Sequence, residues 1–337
     1  MVPFRLSTLL ATALVTGALA FPAIAADAPA KLTVVLNFIP NVEMFGPEYA
    51  LHEGFFKVAG LDVTLVTAGP GINPIQMVAA GSAQIGQDAA ETILIAVDKG
   101  VEVKIIGAQF QKSPIAMTCR KDSGIATPAQ VVGKKVGVKV AAKNLFDLFM
   151  KKVGVDIAQV QTTPIGNADI AFVIAGRTDC QFTTFVVNEP RSIEKAGVPV
   201  NVFPIADYGL NSQANSYFVR GDFYADPANR KILSRYLAAL GKAWAVFMQD
   251  PQKAARYMVD KAFVEGLDLD QQLYQADQQA LFMKGPLTAE KGILWIDPAV
   301  FAQTAKNAFD AGSTSKLVDT STVVTTEILA ETTLPKF

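Results

Sequence analysis

Short apolar runs alternate along the chain with segments whose apolar residues recur every three or four positions. In the first third, this pattern predicts strands at residues 33–36, 62–67, 83–85 and 103–108, and helices at 47–57, 73–80 and 90–99. Strands that alternate with helices are typical of an α/β fold with a parallel-type sheet. We therefore predict a first α/β unit in this part of the chain.

The same alternation then recurs. It predicts strands at 135–139, 159–163, 180–184 and 199–203, with helices at 143–153, 168–175 and 188–195. A short sequence segment repeats as well: VAAGSAQIG at 78–86 resembles VIAGRTDCQ at 173–181. Each stretch reads as a helix end, a capping glycine, a short turn and a strand. An internal duplication of this kind predicts two similar lobes.

The last part of the chain has a different pattern, with long amphipathic stretches that begin at Asp-Pro pairs. The pairs are Asp226-Pro227, Asp250-Pro251 and Asp297-Pro298. Aspartate is a good N-cap and proline a good first helical residue, so each pair predicts a helix start. We expect this helical segment to return and cover the first lobe.

Two extended stretches, 109–118 and 216–221, are predicted to cross between the lobes as hinge strands. The predicted division is therefore residues 26–112 for the first part of lobe one, 113–218 for lobe two, and 219–337 for the return to lobe one.

The first 25 residues form a separate segment. Arg5 is followed by an apolar stretch without acidic residues, and Ala-Ile-Ala at 23–25 is typical of a cleavage site. The segment's apolar core of roughly 15 residues is too short for a membrane span, and no cysteine stands at the predicted cut. We predict a secretory signal peptide cleaved near Ala25, and a soluble mature protein in the periplasm.

Composition narrows the class of protein further. The chain has a formal net charge of −1, and a nucleic-acid-binding protein would instead need a strongly basic face. Its length suggests two domains on a prior of roughly 150 residues each. Cys119 and Cys180 would be exported to a compartment that permits disulfides. A bridge between them and a pair of small buried thiols both remain open.

Several stretches together resemble a known family. They are NFIPN, GPEYALHEGFFKVAGLDVTLV, MVAAGSAQIG, GVEVKIIGAQFQKSPIAM, RKDSGIATPAQVVGKKVGV and NEP. The chain is similar over residues 31–258 to the periplasmic substrate-binding proteins of ABC importers for nitrate, sulfonates, taurine and the thiamine pyrimidine. The resemblance implies a two-lobed α/β fold of the type II-like periplasmic binding proteins. It also implies a small-molecule ligand, with an ABC permease and ATPase at the inner membrane as partners. We expect a monomer.

Residues of the types that catalysis or metal binding requires are scarce in this sequence. The chain has one histidine, His52, and two distant cysteines, so no Ser/His/Asp or Cys/His arrangement or metal-ligand cluster is indicated. A eukaryotic pyrimidine-forming enzyme of the same fold uses a cysteine cluster and histidines, from which this chain departs. We predict a binding protein rather than an enzyme, without cofactor or metal.

Ligands of open α/β sheets bind beyond the carboxyl ends of the strands. Polar and aromatic side chains concentrate at these turns and in the return strand. The candidate ligand-binding residues are Asn37, Phe38, Asn41, Gln87, Asp88, Asn144, Thr184, Asn188, Glu189 and Tyr217. Asparagine and threonine at helix starts are also ordinary N-caps, so that interpretation remains open for each of them.

Glu189 is the most informative candidate. A carboxylate beside the cleft suits a ligand with N–H donors and would repel an anion, and the resemblance implies a ligand-binding glutamate in this region. With Phe38 and Phe110 as stacking partners, we predict a planar nitrogen heterocycle, either a thiamine-precursor pyrimidine or a flavin. The alternatives are a sulfonate, taurine or nitrate-like anion held by helix N-termini, a pyrimidine-forming enzyme, and a sensor domain.

Overall fold

The computed structural model describes Met1 and residues 28–67, 69, 71–166 and 170–337. The predicted signal peptide lies outside the described residues apart from Met1. So does the start of the helix predicted at 168–175.

The first sheet belongs to lobe one. Its strands are β1 Ala30–Val35, β2 Leu61–Val66, β3 Ile85–Asp88, β4 Val103–Ala108 and β10 Ser216–Arg220. They lie in the order β2-β1-β3-β10-β4. Strand β1 pairs in parallel with β2 and β3, while β10 is antiparallel to both of its neighbours. The predicted parallel-type sheet is therefore mixed.

The second sheet, in lobe two, repeats this arrangement. Its strands are β5 Ile115–Arg120, β6 Lys135–Lys139, β7 Gln161–Ile165, β8 Cys180–Phe185 and β9 Val200–Pro204. The order is β7-β6-β8-β5-β9, and β5 is the antiparallel strand. The repeated topology confirms the predicted duplication of an α/β unit.

The crossings between the lobes run side by side. The backbone N–H groups of Gln109 and Phe110 donate to the carbonyls of Asn215 and Ala214, each at 3.1 Å. After the first crossing the chain forms β5, the antiparallel strand of the lobe-two sheet. After the second crossing it forms β10, the antiparallel strand of the lobe-one sheet. The prediction that residues 216–221 cross between the lobes is wrong, because Ser216–Arg220 already lies inside the first sheet.

Helices cover the sheets. In the duplicated part they are α1 Phe45–His52, α2 Phe55–Val58, α3 Pro74–Ala79, α4 Ala90–Asp98, α5 Lys143–Lys152, α6 Ala171–Ile174 and α7 Glu189–Lys195. The return segment adds α8 Gly221–Ala225, α9 Pro227–Gln249, α10 Pro251–Lys261, α11 Leu269–Met283, α12 Pro286–Glu290, α13 Pro298–Asp310 and α14 Glu327–Glu331. The helix predicted at 47–57 is two helices, because Gly54 adopts a φ of 76° between them. Within the described part of the chain, no helix combines the length and apolarity that a membrane span requires.

The return helices begin where the Asp-Pro pairs predict and pack on lobe one. The side chains of Asp226, Asp250 and Asp297 accept backbone N–H groups in the first turns of α9, α10 and α13. Apolar side chains of the return segment, such as Trp244 and Phe301, share one core with the strands of the first sheet. The predicted covering of lobe one by the C-terminal helices is confirmed.

A disulfide joins Cys119 of β5 to Cys180 of β8, at paired positions of adjacent antiparallel strands. Both residues are fully buried in the core of lobe two. Of the two alternatives that the sequence leaves open, the structure contains the bridge.

One close approach between α1 and α9 depends on glycine. A Cβ added at Gly46 would lie 2.2 Å from the Trp244 ring, which is fully buried. Gly46→Ala should therefore lower the free energy of unfolding by about 1–3 kcal/mol through overpacking. Urea denaturation would measure this, with Gly221→Ala as control, since a Cβ there meets only atoms at 3.6 Å or beyond. Equal midpoints for the two variants would contradict the prediction.

Candidate ligand-binding site

A cavity of about 360 Å³ lies between the lobes. It is lined by Asn37, Phe38, Glu43, Lys139, Ile170, Phe185, Asn188, Glu189 and Ser192. The first three belong to lobe one and the others to lobe two. The cavity therefore lies beyond the carboxyl ends of strands from both sheets, where ligands of open α/β sheets bind.

The lobe-one wall follows strand β1. Asn37 Nδ2 donates to Asn215 Oδ1 at 3.2 Å, while Asn37 Oδ1 is buried and has no hydrogen-bond partner among the described residues. Buried polar atoms normally have partners, so this oxygen is an acceptor available to a ligand. Phe38 beside it keeps 38% of its surface exposed and presents a ring to the cavity.

Glu43 lies in the short 3-10 helix Val42–Met44 and is buried. Its Oε1 accepts from Asn215 Nδ2 at 2.8 Å, and its Oε2 from Gln275 Nε2 at 3.5 Å. Burial raises the pKa of Glu43 to about 7; the Asn215 hydrogen bond opposes this shift, and the charge of Glu189 adds to it. Near neutral pH this carboxyl can therefore gain or lose a proton at little cost.

The lobe-two wall is formed by the start of α7. Glu189 Oε2 accepts the backbone N–H of Phe185 at 2.8 Å. Burial raises the pKa of Glu189, against the effects of the Phe185 N–H and of the charge of Lys139. Two carboxyl groups from different lobes thus face one cavity, close enough for the charge of Glu189 to act on Glu43.

Lys139, at the end of β6, is the basic residue that lines the cavity. Its Nζ donates to the Thr183 carbonyl at 3.1 Å. Burial lowers the pKa of Lys139, while the charge of Glu189 opposes the shift. This amine therefore holds the last residues of β8 as well as facing the cavity.

The lobes also contact each other beside the cavity. Asn188 accepts two hydrogen bonds from Gln271 Nε2 of α11, at 2.8 Å on Oδ1 and 3.0 Å on the backbone carbonyl. Arg191 and Lys195 of α7 pair with Asp270 and Asp268 of the same lobe-one segment. Asn188 therefore serves both the cavity wall and the contact between lobes.

The other predicted site residues lie elsewhere. Asn41 is buried and caps the 3-10 helix by accepting the Glu43 N–H at 2.9 Å. Gln87 is also buried and donates to Gln109 at 3.1 Å. Asp88 accepts the Ala89 N–H at 2.7 Å, and burial raises its pKa to about 6. Asn144 is exposed and donates to the Gly312 carbonyl at 3.4 Å. These side chains are not part of the cavity lining.

Three aromatic and hydroxyl side chains are core residues instead of cleft residues. Tyr217 is fully buried against Tyr236, with ring centroids 6.4 Å apart. Phe110 is fully buried in the lobe-one core, so it cannot stack on a ligand. The Thr184 hydroxyl lies 2.6 Å from that of Thr118, inside lobe two.

The family model "NMT1/THI5 like" matches residues 41–254. The chain belongs to the NMT1/THI5-like family. The matched range begins at the cap of the Glu43 helix and ends in α10, so it includes most of the cavity lining from both lobes.

Three relatives of this NMT1/THI5-like chain are informative. The formylaminopyrimidine-binding protein of Halalkalibacterium halodurans is 23% identical over 302 residues, covering 85% of this chain and 91% of the relative. The riboflavin-binding protein RibY of Chloroflexus aurantiacus is 25% identical over 310 residues, covering 89% and 86%. A 4-amino-5-hydroxymethyl-2-methylpyrimidine phosphate synthase of Saccharomyces cerevisiae is 22% identical over 257 residues, covering 73% and 75%.

Solved structures show the fold. The periplasmic aliphatic sulphonate binding protein SsuA of Escherichia coli superposes with a TM-score of 0.68 at 18% identity, covering 87% of this chain and 91% of that one. The NMT1/THI5-like chain thus has the two-lobed periplasmic binding protein fold that the sequence predicts.

The sequence analysis did not predict five of the residues that line the cavity: Glu43, Lys139, Ile170, Phe185 and Ser192. A signal was present for two of them. Glu43 is an acidic residue between the apolar residues Val42 and Met44, shortly after the first strand. Lys139 ends a predicted strand, where side chains face the cleft. Neither Ile170 nor Ser192 differs from an ordinary residue at a helix start.

Proposed function

We propose that this protein is a periplasmic receptor that captures a small planar nitrogen heterocycle and delivers it to an ABC importer. The heterocycle is a thiamine-precursor pyrimidine or a flavin-like ring. One observation carries the proposal: the buried carboxyl groups of Glu43 and Glu189 face a common cavity from opposite lobes.

The chemistry of the cavity favours a ring with N–H donors. Carboxyl oxygens and the unpartnered Asn37 Oδ1 are acceptors. Phe38 supplies an aromatic face for an offset stack. The names of two relatives, which specify formylaminopyrimidine and riboflavin, agree with such a ring.

An anion is the second candidate, since Lys139 lines the same cavity and SsuA shares the fold. Lys139 already donates to Thr183, burial lowers its pKa, and two carboxyl groups line the cavity with it. The charge balance therefore disfavours a sulfonate, taurine or nitrate.

Binding by closure follows from the division of the lining residues. A ligand contacts Asn37, Phe38 and Glu43 on one lobe and Glu189 on the other, so only a closed arrangement makes all the contacts. The Gln271–Asn188 hydrogen bonds are made only when the lobes meet. The closed receptor would then dock on its permease, with the ATPase on the far side of the inner membrane; the predicted signal peptide supports this location.

A thermal-shift panel followed by calorimetry tests the function. The panel contains 4-amino-5-hydroxymethyl-2-methylpyrimidine, riboflavin, taurine, an alkanesulfonate and nitrate. We expect a heterocycle to bind with a micromolar dissociation constant, about −8 kcal/mol. A shift with sulfonates alone would replace the heterocycle by the anion, and formation of a pyrimidine product by the purified protein would favour the enzyme.

Glu189→Gln should weaken the heterocycle that binds by about 10- to 100-fold, which corresponds to about 1.5–3 kcal/mol for a hydrogen bond to a charged group. Glutamine keeps an oxygen for the Phe185 N–H, so the loop at the end of β8 should persist. Calorimetry measures the affinity, and Glu194→Gln, at an exposed position of the same helix, is the control. An unchanged affinity would leave Glu189 only a structural role at the start of α7.

A further inference from the structure

A second cavity, of about 320 Å³, adjoins the first. Lys139 and Phe185 line both, so the two cavities meet at these side chains. Most of the second lining is aliphatic and again comes from both lobes, with Ile95, Ile115, Leu145, Leu210 and Ala308 among its residues. The cleft between the lobes therefore has a polar compartment and an apolar compartment side by side.

The apolar compartment contains one polar group without a partner. Glu91, in the first turn of α4, lines it, and Glu91 Oε2 is buried with no hydrogen-bond partner among the described residues. Burial raises the pKa of Glu91, while its own backbone N–H and the nearby Ser212 hydroxyl oppose the shift. Ser212 Oγ, like Glu91 Oε2, has no partner within hydrogen-bond distance among the described residues. A ligand donor at Glu91 Oε2 would supply the missing hydrogen bond.

The boundary between the compartments is also the place where lobe two is irregular. Thr183 has a φ of 65°, which is unusual for a β-branched residue. The pairing of β5 with β8 shifts register at the same point, and the displaced Thr183 carbonyl accepts Lys139 Nζ. Backbone strain and bulges concentrate at functional sites. Here the carbonyl of the bulged residue holds Lys139 at the junction.

We propose that the ligand is elongated, with an N–H-bearing ring in the Glu43/Glu189 compartment and an apolar arm that enters the second compartment. The arm ends in a neutral hydrogen-bond donor, a hydroxyl or an amide N–H, placed at Glu91 Oε2. A neutral donor is preferred to an amine because the arm passes Lys139. This inference rests on the proposed function and adds the shape and second end of the ligand.

The volumes agree with one ligand across both compartments. Each cavity alone is near the lower limit of roughly 300 Å³ for small-molecule sites, whereas the pair reaches the middle of the usual range. A bare pyrimidine would leave the aliphatic compartment and the Glu91 oxygen unused.

Calorimetry with matched probes tests the proposal. The probes are 4-amino-2-methylpyrimidine, the same ring with a five-carbon chain at position 2, at position 5 or on the exocyclic amine, and each chain with a terminal methyl or a terminal hydroxyl. We expect at least one chain isomer to bind about tenfold more tightly than the bare ring, since each buried methylene favours binding. We also expect its hydroxyl form to bind more tightly than its methyl form.

Variants separate the two compartments. Leu145→Trp should fill the apolar compartment, remove the gain from the chain and leave the bare ring unaffected, whereas Leu281→Trp, at an exposed position, should change neither. Glu91→Met should abolish the preference for the hydroxyl, and Glu91→Gln, which keeps an acceptor, should retain it. Thermal melts establish that each variant is folded.

The possible results distinguish a failure of the elongated ligand from a failure of the proposed heterocycle receptor. If the bare ring binds and no isomer gains affinity from its chain, the elongated ligand is wrong and the heterocycle receptor stands. A gain that Leu145→Trp does not remove places the arm elsewhere and also overturns the inference. If no pyrimidine binds, this inference fails, and the proposed function fails with it only if riboflavin does not bind either.

Discussion

Reducing the Cys119–Cys180 bridge will lower the free energy of unfolding by about 4 kcal/mol. The bridge closes a loop with a sequence separation of 61, and a crosslink of that span removes conformational entropy from the unfolded chain. The loop contains β6, β7 and most of the packing of lobe two. Without the bridge, the unfolded state gains freedom while the native strands β5 and β8 keep their pairing.

Urea denaturation with and without dithiothreitol measures this difference directly. The Cys119→Ala/Cys180→Ala variant should lose at least as much stability, because both sulfurs are buried and their removal also costs packing. The reduced wild-type protein separates the crosslink from the packing, since its side-chain atoms are unchanged apart from the thiol hydrogens. Equal midpoints for oxidised and reduced protein would show that the bridge contributes nothing.

Ligand binding should respond much less to reduction. Cys180 begins β8, whereas Phe185, which lines the cavity, ends it. The lobe-two wall is held at that end by the Glu189–Phe185 and Lys139–Thr183 hydrogen bonds, which do not involve the disulfide. Under conditions where the reduced protein remains folded, we expect its affinity to lie within about twofold of the oxidised protein. A larger loss would mean that the bridge positions the site.

Local signals account for what the sequence predicted well. Each Asp-Pro pair starts a helix because the aspartate accepts an N–H of the first turn and the proline needs no partner there. Gly81 and Gly176, in the two repeated segments, both adopt positive φ at helix ends. The duplication could therefore be predicted from short segments of the sequence. The place of β10 in the first sheet depends on pairing with β3 and β4, far away in sequence. No local pattern determines that pairing.

The candidate site also contains residues that local sequence predicts and others whose place depends on long-range pairing. Asn37, Phe38, Asn188 and Glu189 were predictable from their places at strand ends, and all four line the cavity. Thr184 was predicted at the cleft, but the bulge at Thr183 displaces the register by one residue and turns Thr184 into the core. A one-residue shift exchanges the two faces of a strand. The bulge arises from pairing across the sheet and leaves no mark in the sequence.

Stability will fall as pH rises through neutrality, and Glu43 will account for a large part of the decline. A carboxyl whose folded pKa is raised binds its proton more tightly in the folded state than in the unfolded state. Its stabilising contribution is complete below the unfolded pKa of 4.5 and is lost as pH rises to the folded value of about 7. The free energy of unfolding should therefore decrease by roughly 3 kcal/mol over that interval on account of this residue.

The variant Glu43→Gln isolates this contribution, because glutamine does not titrate. Urea titrations from pH 4.5 to 8 measure the free energy of unfolding of the variant and of the wild type. The variant's value minus that of the wild type should increase as pH rises. Glu48→Gln is the matched comparison, since burial also raises the pKa of Glu48 to about 7. Glu48 does not line the cavity. Parallel curves for wild type and Glu43→Gln would contradict the prediction.

Glu43 and Glu48 should differ in whether they release a proton when a ligand binds. A ring that donates an N–H to Glu43 favours the ionised carboxylate and lowers its pKa, so at pH 6 binding should release protons. Calorimetry in buffers of different ionisation enthalpy measures that release. Wild type and Glu48→Gln should release the same number of protons, and Glu43→Gln fewer, because the titrating group in the cavity is gone. No proton release by the wild type would instead mean that the ligand binds the neutral form of Glu43, which already predominates at pH 6.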